Sequence, residues 1–116
     1  MTAMELKTSE RDGIVVVQMS GDLEVQEIDD FKTVMDDIIN SGKHTRTVLD
    51  VSDVTRMTSY VVALIGFYNA QFKQAKGKLV VSGATSPAQR AIELSGLDKV
   101  INTADTVDDA LEQFDV

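Results

Sequence analysis

The spacing of apolar and polar residues changes several times along the chain, and each change marks an element. Ile14 to Met19 (IVVVQM) is almost continuously apolar and rich in β-branched residues, the pattern of a buried strand. A more mixed run, Met4 to Ser9, precedes it across Asp12 and Gly13. Asp-Gly between two strand-like runs favours a tight turn, because both residues tolerate positive φ. A hairpin of Met4 to Ser9 with Ile14 to Ser20 is therefore predicted. Beyond Ser20 and Gly21 the period lengthens: Ile28, Phe31, Met35 and Ile38 recur at helical spacing, while Glu27, Asp29, Asp30 and Asp36 take the other faces. This predicts an amphipathic helix of about four turns ending at Asn40-Ser41-Gly42.

Thr45 to Val51 is short and β-branched and reads as a central strand. Asp50 and Asp53 follow at its end, where they are expected to accept local backbone N–H groups in a polar bend. A second helix is predicted from about Tyr60 to Lys76, with Val61, Leu64, Ile65, Tyr68 and Phe72 on one stripe and Gly77 at the position after its end. Lys78 to Gly83 is a further strand. Ser86, Pro87 and Gln89 open a third helix as a capping box with proline at its first position. Gly96 closes it, and Leu97 is placed for the apolar contact of a Schellman end. A short strand near Lys99 to Asn102 and a last helix capped by Thr106 complete the pattern.

Strands alternating with helices after an initial hairpin predict an α/β fold, with a mixed sheet of four to five strands, parallel crossovers and four helices. The 116 residues are enough for one ordinary core, so a single domain spanning 1–116 is expected. The single proline leaves no Pro-rich linker. The absence of cysteine excludes disulfides, thiolate metal sites and cysteine nucleophiles. The charged N-terminal run MTAMELKTSERDG lacks the apolar core of a signal peptide, and the longest apolar run, Tyr60 to Tyr68, is too short to span a bilayer. A cytoplasmic location without membrane insertion is expected. A formal charge of −8 repels phosphate backbones, which argues against nucleic acid as a partner and suits either simple solubility or a basic protein partner.

Candidate chemistry is sparse. Ser41 to Thr45 (SGKHT) and Gly77-Lys78 resemble fragments of a phosphate loop, but both glycines follow helices, the reverse of the strand-loop-helix order that such a loop needs. His44 has no second histidine and no cysteine with which to bind zinc. No serine, histidine and aspartate can be grouped as nucleophile, base and orienter. The chain is accordingly expected to be no enzyme, with no metal and no cofactor. Ser59 stands out instead. A serine just before a long helix can cap its free N–H groups, and the same helix terminus accommodates a phosphate on that hydroxyl. Tyr60, Val62 and Phe67 add apolar surface outside the core stripe of the second helix, which is the pattern of a helix that is either buried on both faces or docks a partner.

Four segments, GDLEVQEIDDF (Gly21 to Phe31), VLDVSDVTRMTS (Val48 to Ser59), GKLVVSGATSPAQRAIELSGLDKVI (Gly77 to Ile101) and TVDDAL (Thr106 to Leu111), follow in that order over nearly the whole chain. Together they resemble the STAS domain family, specifically its small bacterial anti-sigma factor antagonists. The family pattern at the start of the second helix is Asp-Ser-small-Gly, its serine phosphorylated by a partner kinase. This chain reads Thr58-Ser59-Tyr60-Val61 there and shares the serine alone.

The resemblance implies a protein-interaction switch that binds an anti-sigma factor acting as a serine kinase and is released by phosphorylation of Ser59, with Thr58 as the alternative acceptor. It implies a partner surface formed by Gly21, Asp22, Glu24, Thr58, Ser59, Tyr60, Val62 and Gly83, and leaves a weak homodimer open. STAS scaffolds of stress-signalling complexes and accessory subunits of lipid-transport ATPases form a second class, without a phosphorylation switch; some of the scaffolds also carry serine followed by an aromatic and a β-branched residue. A small-ligand or nucleotide binder using the bends Gly21 to Glu24 and Gly83 to Ser86 is a third reading.

Overall fold

The computed structural model describes residues 5–23, 28–41, 46–83 and 87–114. Two antiparallel strands open the fold, β1 (Glu5–Arg11) and β2 (Ile14–Leu23), joined by Asp12 and Gly13 at φ 53° and 80°. The predicted hairpin is present, with a turn of the twist that paired strands prefer. Then follow α1 (Ile28–Ser41), β3 (Arg46–Met57), α2 (Ser59–Gln74), β4 (Lys78–Ser82), α3 (Pro87–Ser95), a 3₁₀ turn (Leu97–Lys99), β5 (Asn102–Ala104) and α4 (Val107–Glu112). The sheet order is β1-β2-β3-β4-β5, antiparallel between β1 and β2 and parallel throughout the rest.

Because β2 to β5 lie side by side in chain order, right-handed crossovers place the connecting helices α1, α2 and α3 on one face of the sheet. There Val17, Met19, Leu49, Val51, Leu79 and Val81 pack against Phe31 and Met35 of α1, Ile65 and Phe72 of α2 and Ile92 of α3. The opposite face is covered by the short α4, whose Ala110 and the following Phe114 meet Ile14, Val16, Val48 and Val80. The predicted core stripe of α1 is buried in full, and that of α2 except Leu64, which is half-buried.

Three boundaries differ from expectation. β3 does not stop at Val51 but runs on to Met57. Its register against β2 moves from Gln18 opposite Asp50 to Ser20 opposite Asp53, then from Gly21 opposite Val54 to Asp22 opposite Arg56. Each step is a bulge that absorbs one extra residue of β3, so polar residues that imitate a loop are carried within a strand. Asp50 does accept a local N–H, from Ser52 at 3.1 Å, and also the Ser52 hydroxyl at 2.8 Å. Asp53 instead accepts from the side chain of Gln18.

The end of α2 differs by one residue. Lys76, at φ 62°, holds the left-handed position expected of Gly77. Its N–H donates to Lys73 O, and the Gly77 N–H donates to Phe72 O at 2.7 Å, the paired bonds of a Schellman motif. Finally, Leu97–Lys99 form a 3₁₀ turn, and the last strand begins at Asn102 where Lys99 was expected. Gly96 does close α3, at φ 81°. The Gly96 N–H donates to Glu93 O at 3.0 Å, and the Leu97 N–H donates to Ser95 Oγ, whose hydroxyl donates in turn to Ile92 O at 2.6 Å, a side-chain relay in place of the direct Leu97-to-Ile92 bond. Ser86, Gly42, Glu27 and His44, each named in the expectations above, lie outside the described residues.

Candidate functional site at the start of α2

The parallel strand β3 ends at Met57, and one residue later the chain enters α2. Thr58 is extended (φ −80°, ψ 162°), and its Oγ1 accepts the Val61 N–H at 3.3 Å while its carbonyl accepts the Val62 N–H at 3.1 Å. Thr58, not Ser59, is therefore the cap. This correction changes the character of Ser59: it is the first helical residue, exposed, and its hydroxyl bonds to no described residue. The N–H groups of Ser59 and Tyr60 are left over in the first turn, aligned with the positive end of the helix dipole. An anion on the Ser59 side chain would meet both.

The outer face of α2 is apolar for most of its length. Tyr60 is 45% and Phe67 52% exposed, and exposed Ala63 and Ala70 extend the same stripe at helical spacing. Phe67 leans edge-on against buried Tyr68, ring centroids 5.2 Å apart, and Tyr68 in turn contacts Phe31 of α1 edge-on at 5.8 Å. Tyr60 and Phe67 are thus not packed away between helices. Beside this stripe an open groove of about 630 Å³ runs between α2 and α3, with Met57 and Ser59 at one end and Ala63, Gly66, Ala91 and Leu97 among its walls. Leu94, 88% exposed, stands on its rim. Gly66 sets the width, since a Cβ there would come within 3.2 Å of Leu97 Cδ1. The Asn69 amide donates to Val100 O and ties the 3₁₀ turn to α2.

Of the eight residues expected at the partner surface, the structure brings Thr58, Ser59 and Tyr60 together at the start of α2. Val62 is buried, as part of the core and of the groove lining, and not on the outer face. Gly83 is buried too. It has φ 114°, and a Cβ there would lie 2.7 Å from Ser52 N, so it is a glycine because the β3 backbone presses against it. Gly21, at φ 87°, is buried beside Val54 of β3. Asp22 pairs in register with Arg56, two residues before the Thr58 cap; Glu24 lies outside the described residues. The bends proposed for a small ligand therefore contribute two glycines that serve chain packing. Among the described residues, no group of three or more His, Cys, Asp or Glu side chains could hold a metal ion, and no helix is long and apolar enough to cross a membrane. The groove, Leu94, Ala63 and the Gly66–Leu97 contact were not foreseen from sequence. A small residue in α2 facing a leucine just after a helix-ending glycine is the signal that could have found them.

The model of the STAS domain matches residues 5–110. The chain belongs to the STAS domain family. Among curated proteins it is 24% identical over 113 residues to the anti-sigma F factor antagonist of Paenibacillus polymyxa, covering 97% of both chains. Its fold is similar to that of an anti-sigma factor antagonist from Mycobacterium paratuberculosis, with TM-score 0.74 and 23% identity, covering 96% of this chain and 93% of that one. It is also similar in fold to the Bacillus cell fate determinant SpoIIAA in its phosphorylated form, with TM-score 0.72 and 18% identity, covering 96% of this chain and 98% of that one. The expected architecture, a mixed sheet of four to five strands with four helices, is the one observed, with five strands, one antiparallel pair and four α-helices among the described residues.

Proposed function

We propose that this STAS domain is a regulatory binding protein of the anti-sigma factor antagonist kind, acting in the cytoplasm on an anti-sigma factor that is also a serine kinase, and that phosphate on Ser59 ends the interaction. The observation that carries the reading is the position of Ser59: an exposed hydroxyl in the first turn of α2, between a threonine cap and an exposed apolar stripe. Full-length similarity to an anti-sigma F factor antagonist and a fold relative that exists in a phosphorylated form support the partner class and the modification.

The mechanism is electrostatic and local. A phosphate brings about −2 of charge and strong acceptor oxygens. In the free protein it sits at the helix terminus near the unclaimed N–H groups of Ser59 and Tyr60, at little cost. In a complex it would lie at the end of the groove, by Met57 and Val62 and next to exposed Tyr60, where desolvating a dianion is expensive. Binding is lost without refolding, and the −8 charge of the chain adds long-range repulsion against an acidic partner and attraction for a basic one.

A second reading, a STAS scaffold or transport-accessory subunit without the switch, is favoured by one feature. Thr58 and Val61 stand where the family pattern has aspartate and glycine, and Tyr60, where it has a small residue, is an exposed ring. Incubation with the cognate kinase and ATP, followed by peptide mapping, separates the two. Phosphate on Ser59 supports the switch; phosphate on Thr58 alone, or none, assigns the chain to the scaffold or accessory class.

A further inference from the structure

Among the described residues β1 is the first strand of the sheet and pairs on one side only, with β2. Its register is continuous from Glu5 opposite Ser20 to Arg11 opposite Ile14, so no bulge interrupts it, and its sequence ELKTSER contains no proline. Within β1 itself, charge is thus the device that blunts the edge, with neither bulge nor proline. Those charges follow a pattern. In a two-residue hairpin the pair flanking the turn, here Arg11 and Ile14, exchanges both backbone bonds, and the direction then alternates along the strand. Arg11, Ser9, Lys7 and Glu5 spend their N–H and C=O groups on β2. Glu10, Thr8 and Leu6 point theirs outward.

We infer that β1 pairs antiparallel with β1 of a second copy, about a two-fold axis through Thr8, to form a continuous ten-stranded sheet from the two five-stranded ones. Backbone parity restricts the register, because only the outward-facing Leu6, Thr8 and Glu10 can exchange bonds with their counterparts. With the axis at Thr8, Thr8 faces Thr8 of the second copy and Leu6 faces Glu10, for about six backbone bonds. The same register sets Glu5 directly opposite Arg11 of the second copy, twice by symmetry. These are non-bonded pairs just beyond the outermost bonded rungs, on one face of the sheet, where opposite charges attract.

The parity-allowed registers on either side fail on charge. Moving the axis to Lys7 sets Lys7 against Lys7, and moving it to Ser9 sets Lys7 against Arg11. Like charges directly opposite destabilise a ladder, so the sequence selects one register from the three. Arg11 already lies 3.6 Å from Asp108 of α4, an exposed pair that leaves the other donors of its guanidinium for Glu5 of the second copy. On the helix-side face, an open trough of about 480 Å³ lined by Thr8, Glu10, Val15, Val34 and Ile38 marks where α1 leaves β1 uncovered. Leu6, the one half-buried residue of β1, would meet the aliphatic stem of Glu10 beside it.

An edge contact of this length is small, so the dimer is expected to be weak, dissociating in the micromolar to millimolar range. β2 separates β1 from β3, which leaves the Ser59 end of α2 open in both copies. The dimer would present two such surfaces to a two-fold partner.

Sedimentation equilibrium of the full chain from micromolar to millimolar concentration tests the inference. Reversible self-association of the unmodified chain is expected. Thr8→Pro removes an outward N–H that β2 does not use, and should leave a folded monomer at every concentration. Glu5→Arg and Arg11→Glu should each weaken self-association about tenfold or more, while an equimolar mixture of the two variants should associate again, since every close pair is then arginine with glutamate. A chain that stays monomeric throughout, a dimer indifferent to Thr8→Pro, or charge variants that fail to recover on mixing would each overturn the β1 interface.

Discussion

α1 and α2 lie side by side on the same face of the sheet, yet their outer surfaces have opposite character. α1 buries Ile28, Phe31, Met35 and Ile38 and turns Asp29, Asp30, Asp36 and Asp37 toward solvent. α2 buries Val61, Val62, Ile65, Tyr68, Asn69 and Phe72 and still exposes Tyr60, Ala63, Phe67 and Ala70. The outer face of α1 is acidic. α2 packs and also keeps an apolar surface in water, which is unfavourable unless something covers that surface part of the time. The groove and the exposed Ser59 adjoin that surface, as the proposed control by phosphate requires.

The comparison is broken most directly through the core. Phe31→Ala in α1 and Phe72→Ala in α2 should each cost about 3–5 kcal/mol of stability, because both rings are fully buried. Thermal or denaturant unfolding measures the loss, and the two should be of similar size if the inner faces of the helices do equivalent work. The outer faces should not match. Tyr60→Ala should weaken partner binding by about 2 kcal/mol with the melting temperature nearly unchanged, as expected of an aromatic anchor. A large stability loss with unchanged binding would make Tyr60 a packing residue.

Tyr68 is where the two helices meet: its hydroxyl donates to Asp36 Oδ1 at 3.0 Å. Burial first, then this bond and the charge of Asp36, push the phenol well above its ordinary value of 10.0. The folded state thus holds the proton more tightly than the unfolded chain. The stability this provides is complete below pH of about 10 and is lost as pH rises further. Alkaline unfolding curves of Tyr68→Phe should be flatter in that range, at a cost near neutral pH of about 1 kcal/mol. A smaller contrast separates two neighbouring hydroxyls. Thr58→Ala removes the cap and should cost about 1 kcal/mol, whereas Ser59→Ala, at the first helical position, should leave stability almost unchanged.

That last contrast shows where sequence stops being legible. Thr58 and Ser59 are both good caps, and nothing local in Met57-Thr58-Ser59-Tyr60 decides between them; the length of β3 does, by delivering Thr58 and not Ser59 in extended form to the helix. β3 looks shorter in sequence than it is, because Asp50, Ser52 and Asp53 resemble a loop, and only pairing with β2 reveals the bulges that keep them in the strand. Val62 could be assigned to either face while α2 was apolar all round, and its burial depends on where α3 sits. Gly83 looked like an adaptable bend, but the constraint comes from Ser52, thirty-one residues earlier in the chain. By contrast the hairpin at Asp12-Gly13, the stripe of α1 and the Thr106 cap rest on neighbours in sequence and were legible. The Asp109 N–H donates to Thr106 Oγ1, as that cap requires.

The central claim is that charge at Ser59 controls the apolar face of α2. Titration calorimetry of the kinase partner against the chain in two forms, unmodified and phosphorylated at Ser59, tests it most directly. The account predicts measurable affinity for the unmodified form and a loss of about a hundredfold or more on phosphorylation, of the order that an uncompensated buried charge produces. Equal affinity for the two forms would contradict it.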